Sequence, residues 1–196
     1  MNVVLVDAGG TNIGSVRYAL QRLGVEAPLS SDVGTIGRAD KVILPGVGAA
    51  APGMARLREA GLVEVLRHLQ QPLLGVCLGM QLLFEHSEES DTDCLGVIPG
   101  RVTKMRGDAG LRIPHMGWNR LDVCKVDPLI SGLPEDAHAY FVHSYATEIS
   151  TATLASSTHG VAFSALVRHR NFCGMQFHPE RSAAVGAQLL KNFLGL

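Results

Sequence analysis

Residues 73–84 read Leu73-Leu74-Gly75-Val76-Cys77-Leu78-Gly79-Met80-Gln81-Leu82-Leu83-Phe84. The apolar run from Leu73 to Val76 predicts a buried strand, and the segment after Gly79 is rich in strong helix formers. Cys77 therefore falls in a strand-to-helix turn with Gly75 and Gly79 on either side. In hydrolases with a G-x-S-x-G motif, the nucleophile occupies a tight turn of this kind. The stretch taken alone fits an ordinary buried cysteine in a crossover better than a nucleophile elbow, because free cysteine is commonly a small core residue.

Length and composition indicate one folded domain. The chain has 196 residues, 46% of them hydrophobic and 22 of them glycine, which is typical of a compact protein with many tight turns. A net charge of −1 without a basic cluster gives no support for nucleic-acid binding or a polybasic membrane contact. The chain shows no signal-peptide pattern and no apolar run long enough to cross a bilayer. We expect a single domain over residues 1–196 in the cytoplasm.

The sequence predicts no metal and no cofactor. The four cysteines have no C-x-x-C pairing, which argues against a zinc site or a disulfide framework: Cys77, Cys94, Cys124 and Cys173. Residues 9–14 are glycine-rich, but they lack the G-x-G-x-x-G fingerprint of dinucleotide-binding loops. Small organic molecules or another protein remain as expected ligands.

Strand-like and helical segments alternate through the first half of the chain. Val3–Val6 and Lys41–Leu44 predict strands, and apolar residues recur at helical spacing from Ile13 to Leu23 and from Met54 to Leu66. This order predicts an α/β fold with a mostly parallel, doubly wound sheet. The loops at 7–12 and 45–48 and the turn at Cys77 then lie outside the carboxyl ends of the strands, where such sheets bind ligands.

The second half of the chain predicts extra β-strands and a closing helix. Strand-like pieces are expected at 101–105, 120–124, 140–145, 153–156, 162–168 and 172–177. The last segment, Ala183 to Leu194, has an apolar stripe at helical spacing.

His178 and Glu180 form a second candidate site. Pro179 restricts His178 to an extended conformation, and in an extended chain residues two apart point the same way. A carboxylate bonded to one imidazole nitrogen leaves the other free to accept a proton from a nucleophile. A surface His beside a surface Glu is the simpler interpretation of the tripeptide alone. Together with Cys77, the pair has the composition of an acyl-transfer triad.

Three motifs resemble the signatures of the class I glutamine amidotransferases. They are Pro45-Gly46-Val47-Gly48, Gly75 to Gln81, and Gln176-Phe177-His178-Pro179-Glu180, in the family's order. Pro114–Asn119 and Tyr140–Tyr145 are similar more specifically to the glutaminase subunits of imidazole glycerol phosphate synthase, which serve histidine biosynthesis. The resemblance extends from the first strand to the last helix and implies the single-domain fold of that family.

The resemblance implies a catalytic mechanism and a substrate, L-glutamine. Cys77 would attack the side-chain amide, and His178, oriented by Glu180, would move the proton to departing ammonia. The backbone N–H groups of Val47 and Leu78 would form the oxyanion hole. Six further positions look like glutamine-binding residues: Gly46, Gly48, Gln81, Glu89, Ser144 and Tyr145. Taken without the resemblance, Glu89 belongs to a solvated acidic stretch and His143 is a hydrogen-bonded core histidine.

The resemblance also implies a protein partner. In this family the ammonia passes to a separate cyclase subunit with a (β/α)₈ barrel, which makes imidazole glycerol phosphate and aminoimidazole carboxamide ribotide. This chain is too short to contain that barrel, so a heterodimer is expected. Four residues look like interface or gating positions: Asn12, Trp118, Tyr140 and Arg181. For Trp118, a partly buried core aromatic is the plain alternative.

Three other functions fit parts of the pattern. The chain could be the glutaminase subunit of another amidotransferase, such as one serving aminobenzoate synthesis, but Pro114–Asn119 argues against it. It could be a stand-alone cysteine peptidase or γ-glutamyl hydrolase on a related scaffold. A binding module without catalysis is disfavoured by the intact Cys77, His178 and Glu180.

Overall fold

The structure of the protein, a computed structural model, describes residues 1–8, 13–107 and 110–196. Its helices are α1 (Ile13–Arg22), α2 (Val33–Gly37), α3 (Ala50–Glu59), α4 (Val63–Arg67), α5 (Leu78–Gln81) and α6 (Ala183–Leu194). Its strands are β1 (Val3–Val6), β2 (Leu29–Ser30), β3 (Lys41–Gly46), β4 (Leu73–Cys77), β5 (His86–Ser87), β6 (Thr92–Asp93), β7 (Arg101–Lys104), β8 (His115–Arg120), β9 (Asp122–Val123), β10 (His138–His143), β11 (Tyr145–Thr147), β12 (Thr153–His159), β13 (Val161–His169) and β14 (Phe172–Met175). Short 3-10 helices lie at Pro128–Ile130 and Pro179–Arg181.

A mixed sheet organises the fold. In the described ranges it has eight strands in the order β2-β1-β3-β4-β14-β13-β12-β9. The pairings from β2 to β14 are parallel, and those from β14 to β9 are antiparallel. The predicted α/β fold, with a mostly parallel sheet and added strands, is confirmed.

Helices cover both faces of the sheet because both faces of its central strands are apolar. Val3 and Leu5 of β1 pack with α1 and α6, whereas Val4 and Val6 pack with α2, α3 and α4. Alternate residues of a strand point to opposite faces, so a continuous Val/Leu run serves both cores. The doubly wound arrangement follows directly from this pattern.

The helix expected after Cys77 is much shorter than its sequence predicts. α5 ends at Gln81, and the backbone carbonyls of the next three residues accept hydrogen bonds from residues 95–98 and not from a continuing helix. Leu82 O accepts from Leu95 N, Leu83 O accepts from Val97 N and Ile98 N, and Phe84 O accepts from Gly96 N. These tertiary hydrogen bonds override helix propensity. A single turn provides little macrodipole at Cys77.

Two predicted continuous strands are each divided. The strand expected at 120–124 is split, because β8 ends at Arg120 and pairs with β10, whereas β9 pairs with β12. The strand expected at 140–145 is also split, because β10 pairs with β8 and β11 pairs with β7. Ser144 lies at the second break, where the chain passes from one sheet to another. The sequence pattern specifies strand tendency but not the pairing partner, and the partner determines the break.

Candidate active site

Cys77 lies at a strained turn at the end of β4. Its backbone has φ 54° and ψ −112°, and α5 begins at the next residue. Residues other than glycine rarely adopt a positive φ, and such strain costs about 1–3 kcal/mol. The predicted elbow geometry is therefore present at the predicted residue. The sulfur lies 3.8 Å from Val142 O and 4.0 Å from Gln176 Nε2.

Glycines allow α5 to sit directly on β3 and β4. A Cβ on Gly79 would lie 1.8 Å from Leu44 O, and one on Gly75 would lie 2.5 Å from Gly79 O. A Cβ on Gly46 would lie 2.7 Å from Gly79 N. Since no side chain fits these gaps, the three glycines set the position of Cys77 relative to the sheet.

His178 and Glu180 form a buried pair next to Cys77. His178 Nδ1 lies 2.9 Å from Glu180 Oε1, and the Glu180 side chain is only 1% exposed. Burial lowers the pKa of His178, but hydrogen bonds and charge interactions with Cys77 and Glu180 outweigh it and raise this pKa from 6.5 to about 10. His178 thus lies between the Cys77 sulfur and the Glu180 carboxylate, which is the order of nucleophile, base and orienting group in a catalytic triad.

The pair forms by a different local geometry than expected. The sequence predicts an extended chain through His178 and Glu180, but β14 ends at Met175 and Pro179–Arg181 is a 3-10 helix. Pro179 at the start of this turn presets its φ angle, which brings Glu180 back toward the imidazole. The expectation of a shared strand face was wrong, whereas the expected contact is present.

Backbone hydrogen bonds hold His178 against β10. His178 N donates to Tyr140 O at 2.9 Å, and Tyr140 N donates to Ser182 Oγ at 2.9 Å. Ser182 Oγ in turn donates to His178 O at 2.7 Å. Ser182 is a positioning residue that sequence reasoning missed, because a serine after a helical turn has no distinctive pattern.

Substitution Glu180→Gln tests the origin of the His178 pKa. We expect a lower His178 pKa in the variant, because the carboxylate that stabilises the imidazolium is gone. Because the pKa of His178 is higher in the folded protein than in the unfolded chain, protonated His178 stabilises the fold. This stabilisation is fully present below pH 6.5 and is lost as the pH rises through about 10. The loss of unfolding free energy on substitution should therefore be largest below pH 6.5 and shrink toward pH 10. Urea unfolding at a series of pH values and NMR titration of His178 measure both; a difference that grows with pH contradicts the assignment.

A cavity of about 300 Å³ opens beside Cys77. Val142 and Pro114 line part of its wall. It also collects most of the residues that the sequence predicts for this site: Gly48, Cys77, Leu78, Gln81, Glu89, Ser144 and Tyr145. These residues come from the β3–α3 loop, β4, α5, the β5–β6 turn and the β10–β11 junction, so only the fold brings them together.

Two of these residues already have partners within the protein. Gln81 Nε2 donates to Tyr145 O and to Gln176 Oε1, both at 3.0 Å. Glu89 Oε2 accepts from Ala50 N at 2.8 Å and so caps α3, whose own N-cap residue provides no side-chain bond. Glu89 therefore belongs to the wall of the cavity and is more than a solvated charge after a helix.

Gly46 and Val47 lie apart from this cavity. They line a narrow crevice together with His178 and Glu180, and Gly48 faces the Cys77 cavity with φ 97°. The loop at 46–48 therefore borders both the crevice and the Cys77 cavity. The oxyanion role of Val47 stays a prediction.

The predicted interface residues form one surface patch near the triad, except for Asn12, which lies outside the described residues. The Trp118 and Tyr140 rings meet edge to face with centroids 5.9 Å apart, and Arg181 Cζ lies 4.5 Å from the centre of the Tyr140 ring. Trp118 and Met116 are 54% and 63% exposed. An exposed Trp is not the core aromatic that the plain alternative requires.

Neither a metal centre nor a membrane span stands out in the described ranges. Within residues 1–8, 13–107 and 110–196, no three His, Cys, Asp or Glu side chains are grouped to hold a metal ion. Among the helices of these same ranges, none is both long and apolar enough to cross a bilayer.

Comparison with known proteins identifies close relatives and distant structural neighbours. The sequence model of the family "Glutamine amidotransferase class-I" matches residues 4–195. The imidazole glycerol phosphate synthase subunit HisH of Xanthomonas axonopodis pv. citri is 58% identical over 193 residues, covering 98% of this chain and 96% of the relative. The subunit of the same name from Xylella fastidiosa strain Temecula1 is 58% identical over 192 residues, with the same coverage.

Solved structures show the same fold at low identity. A structure described as a glutamine amidotransferase matches with a TM-score of 0.77 and 22% identity, covering 100% of this chain and 98% of the other. A structure of PurLQS from Thermotoga maritima matches with a TM-score of 0.72 and 18% identity, covering 99% of this chain and 97% of the other. At this identity the likeness extends to the fold alone.

Proposed function

The chain belongs to the class I glutamine amidotransferase family, and we propose that within it the chain is the glutaminase subunit of imidazole glycerol phosphate synthase. One observation carries the proposal. Cys77 lies at a strained elbow beside the His178–Glu180 pair, in a chain that is 58% identical, over 98% of its length, to a subunit of that enzyme. A Cys–His–carboxylate triad is suited to acyl transfer.

The first half-reaction forms a thioester. The Cys77 thiolate attacks the side-chain amide carbon of L-glutamine, and a C–S bond forms as the carbonyl oxygen becomes negative. His178 gives its proton to the amide nitrogen, the C–N bond breaks, and ammonia leaves. Glu180 keeps the imidazole oriented and stabilises its charged form through the 2.9 Å contact with Nδ1.

The second half-reaction releases glutamate. Neutral His178 accepts a proton from water, the resulting hydroxide attacks the thioester carbon, and Cys77 leaves as the thiolate. In both steps Leu78 N–H, next to the nucleophile, and Val47 N–H would stabilise the oxyanion. The Cys77 cavity would hold glutamine through Gly48, Gln81, Glu89, Ser144 and Tyr145, with Gly46 supporting the loop beside it.

The ammonia would pass to a separate cyclase subunit with a (β/α)₈ barrel. The patch of Trp118, Tyr140 and Arg181 supports docking close to the site, because Tyr140 O holds His178 in place. Exposed aromatic and arginine side chains are typical of protein interfaces. Asn12 is proposed for the same interface from sequence alone. A single domain over residues 1–196 and a cytoplasmic location stay predictions.

Glutamate release with and without the cyclase tests this function. We expect weak release by the chain alone and a strong increase when the cyclase and its nucleotide ligand are added. Trp118→Ala should weaken the complex by about 2 kcal/mol, because tryptophan is enriched among the interface residues whose truncation costs about 2 kcal/mol or more. Calorimetry measures the affinity, and an assay coupled to glutamate measures turnover.

Two outcomes would contradict the proposal. Equal and fast hydrolysis with and without the cyclase would argue against partner control. Cleavage of γ-glutamyl peptides in place of glutamine would indicate a stand-alone hydrolase. Val161→Ala is the matched control for Trp118→Ala, since Val161 is also exposed but lies outside the patch, and it should leave the affinity unchanged.

A further inference from the structure

A chain of hydrogen bonds runs from Asn119 to the Cys77 cavity, where its last two residues, His143 and Tyr145, line the wall. Two backbone groups fix the amide orientation of Asn119 at its start. Asn119 Oδ1 accepts from Arg120 N at 2.8 Å, and Asn119 Nδ2 donates to Thr158 O at 2.8 Å. A backbone N–H only donates and a carbonyl only accepts, so the amide cannot be turned over. Its nitrogen is therefore the atom that lies 3.3 Å from His115 Nε2.

The protonation of two buried histidines follows from this orientation. His115 Nε2 faces a donor and must accept, so the proton of a neutral His115 is on Nδ1. His115 Nδ1 lies 3.0 Å from His143 Nε2, which must then accept as well. His143 Nδ1 therefore carries the second proton and donates to Tyr145 O at 2.9 Å. When both rings are neutral, each residue in the chain donates to the next, from Asn119 through His115 and His143 to Tyr145 O.

The surroundings favour the neutral rings. Burial lowers the pKa of His115 to about 3 and that of His143 to about 4. His115 is stacked between Phe141 and His159, with ring centroids 4.9 and 4.2 Å away. A second proton on His115 would sit on Nε2 and point at the Asn119 amide donor, with no acceptor there.

Tyr145 O is shared with the residues that surround the nucleophile. The same oxygen accepts from Gln81 Nε2 at 3.0 Å, which fixes the amide orientation of Gln81. Gln81 Nε2 also donates to Gln176 Oε1 at 3.0 Å, so Gln176 presents its nitrogen to Cys77 Sγ at 4.0 Å. Gln176 is fully buried and has its N–H directed at the sulfur. This places an amide donor against the sulfur of the nucleophile.

We propose that His143 is a positioning residue of this site: a neutral imidazole that fixes the Tyr145 carbonyl and thereby aligns the amides of Gln81 and Gln176 with the Cys77 sulfur. The inference rests on the proposed glutaminase function for its catalytic consequence, but not for its geometry. It adds a role in the site to the sequence interpretation of His143 as a hydrogen-bonded core histidine, which its burial and its two hydrogen bonds confirm.

The first experiment reads the proton positions directly. NMR of the full chain labelled with ¹⁵N-histidine should show, at neutral pH, a protonated Nδ1 and an unprotonated Nε2 for both His115 and His143. The opposite tautomer, or a doubly protonated ring, at His143 overturns the proposal. This measurement needs no glutamine and no partner.

The second experiment separates the hydrogen bond from packing. His143→Asn places a donor near the position of Nδ1, whereas His143→Phe keeps a ring and removes the donor. We expect His143→Phe to slow alkylation of Cys77 by iodoacetamide about five- to tenfold, the effect of one lost hydrogen bond, and His143→Asn to stay within about threefold of wild type. Mass spectrometry of peptides separates Cys77 from the exposed Cys124.

The kinetic readout in the cyclase complex should follow the same order. We expect His143→Phe to lower kcat for glutamine hydrolysis and also to raise KM, because the hydrogen-bond chain from His143 reaches the Cys77 sulfur through Tyr145 and Gln81, two residues proposed to hold glutamine. His159→Phe is the matched control: His159 stacks on His115 and bonds Arg112 O at 2.8 Å, outside the chain that ends at Tyr145. Its alkylation rate and kcat should equal those of wild type.

Each remaining outcome decides one claim. Wild-type alkylation in His143→Phe, or equal losses in His143→Phe and His143→Asn, overturns the proposal. If His143→Phe fails to fold, two results still test the proposal. It is overturned by a His143 ring that is not protonated on Nδ1, or by a His143→Asn alkylation rate outside about threefold of wild type. If the wild-type complex hydrolyses no glutamine while the tautomers and alkylation rates are as expected, the proposed function fails and the positioning role stands.

Discussion

Replacement of Cys77 by alanine should reduce glutamine hydrolysis in the cyclase complex by about a thousandfold or more. The thioester route needs a sulfur at this place, and neither His178 nor Glu180 can replace it as the nucleophile. Glutamate release at saturating glutamine measures the loss. The other buried cysteines provide the matched control, because Cys173→Ala should keep the turnover of wild type.

The same substitution also tests the strain at the elbow. Alanine at position 77 must keep φ 54°, whereas glycine adopts it without a steric penalty. We expect Cys77→Gly to be more stable than Cys77→Ala by about 1 kcal/mol, since relief of about 1–3 kcal/mol of strain exceeds the entropic cost of glycine. Urea unfolding of the two inactive variants measures the difference. A more stable Cys77→Ala, or substantial turnover in either variant, would contradict the assignment of this residue.

Substitution of Gly79 by alanine should prevent folding or destabilise the fold by more than about 4 kcal/mol. The new Cβ would lie 1.8 Å from Leu44 O, which belongs to the backbone of a central strand and cannot move alone. Relief of this overlap requires α5 to separate from β3, and Cys77 would move with it. Thermal unfolding followed by circular dichroism measures the loss.

Gly37 is the matched control for Gly79. It lies in α2, and a Cβ there meets nothing within 4 Å. We expect Gly37→Ala to be neutral or to stabilise the protein by up to about 1 kcal/mol, because alanine is the better helix former. Similar unfolding midpoints for Gly79→Ala and Gly37→Ala would refute the close packing of α5 on the sheet.

The local parts of the fold are predictable because each depends on neighbours in sequence. The β1 bounds, Val3–Val6, and the α6 bounds, Ala183–Leu194, match the expectations. The α5 helix is overestimated, because hydrogen bonds from residues 95–98 capture the carbonyls of Leu82, Leu83 and Phe84. Only the last residue of β8, Arg120, falls in an expected strand, since the exposed Met116 and Trp118 obscure the buried face of the rest.

Sequence alone determines the elbow at Cys77, because its strand, its flanking glycines and its nucleophile are consecutive residues. It also specifies the chemical types of the triad. Tertiary structure decides how distant groups meet: Gln176 and Cys77 are 99 residues apart, and Gln81 and Tyr145 are 64 apart. The His143 hydrogen bond to Tyr145 joins near neighbours, but its direction depends on His115, 28 residues away. A hydrogen bond needs a correctly aimed donor within about 3 Å of an oxygen or nitrogen acceptor, and somewhat farther from a sulfur. Only the packed sheets impose those distances on residues so far apart in the chain.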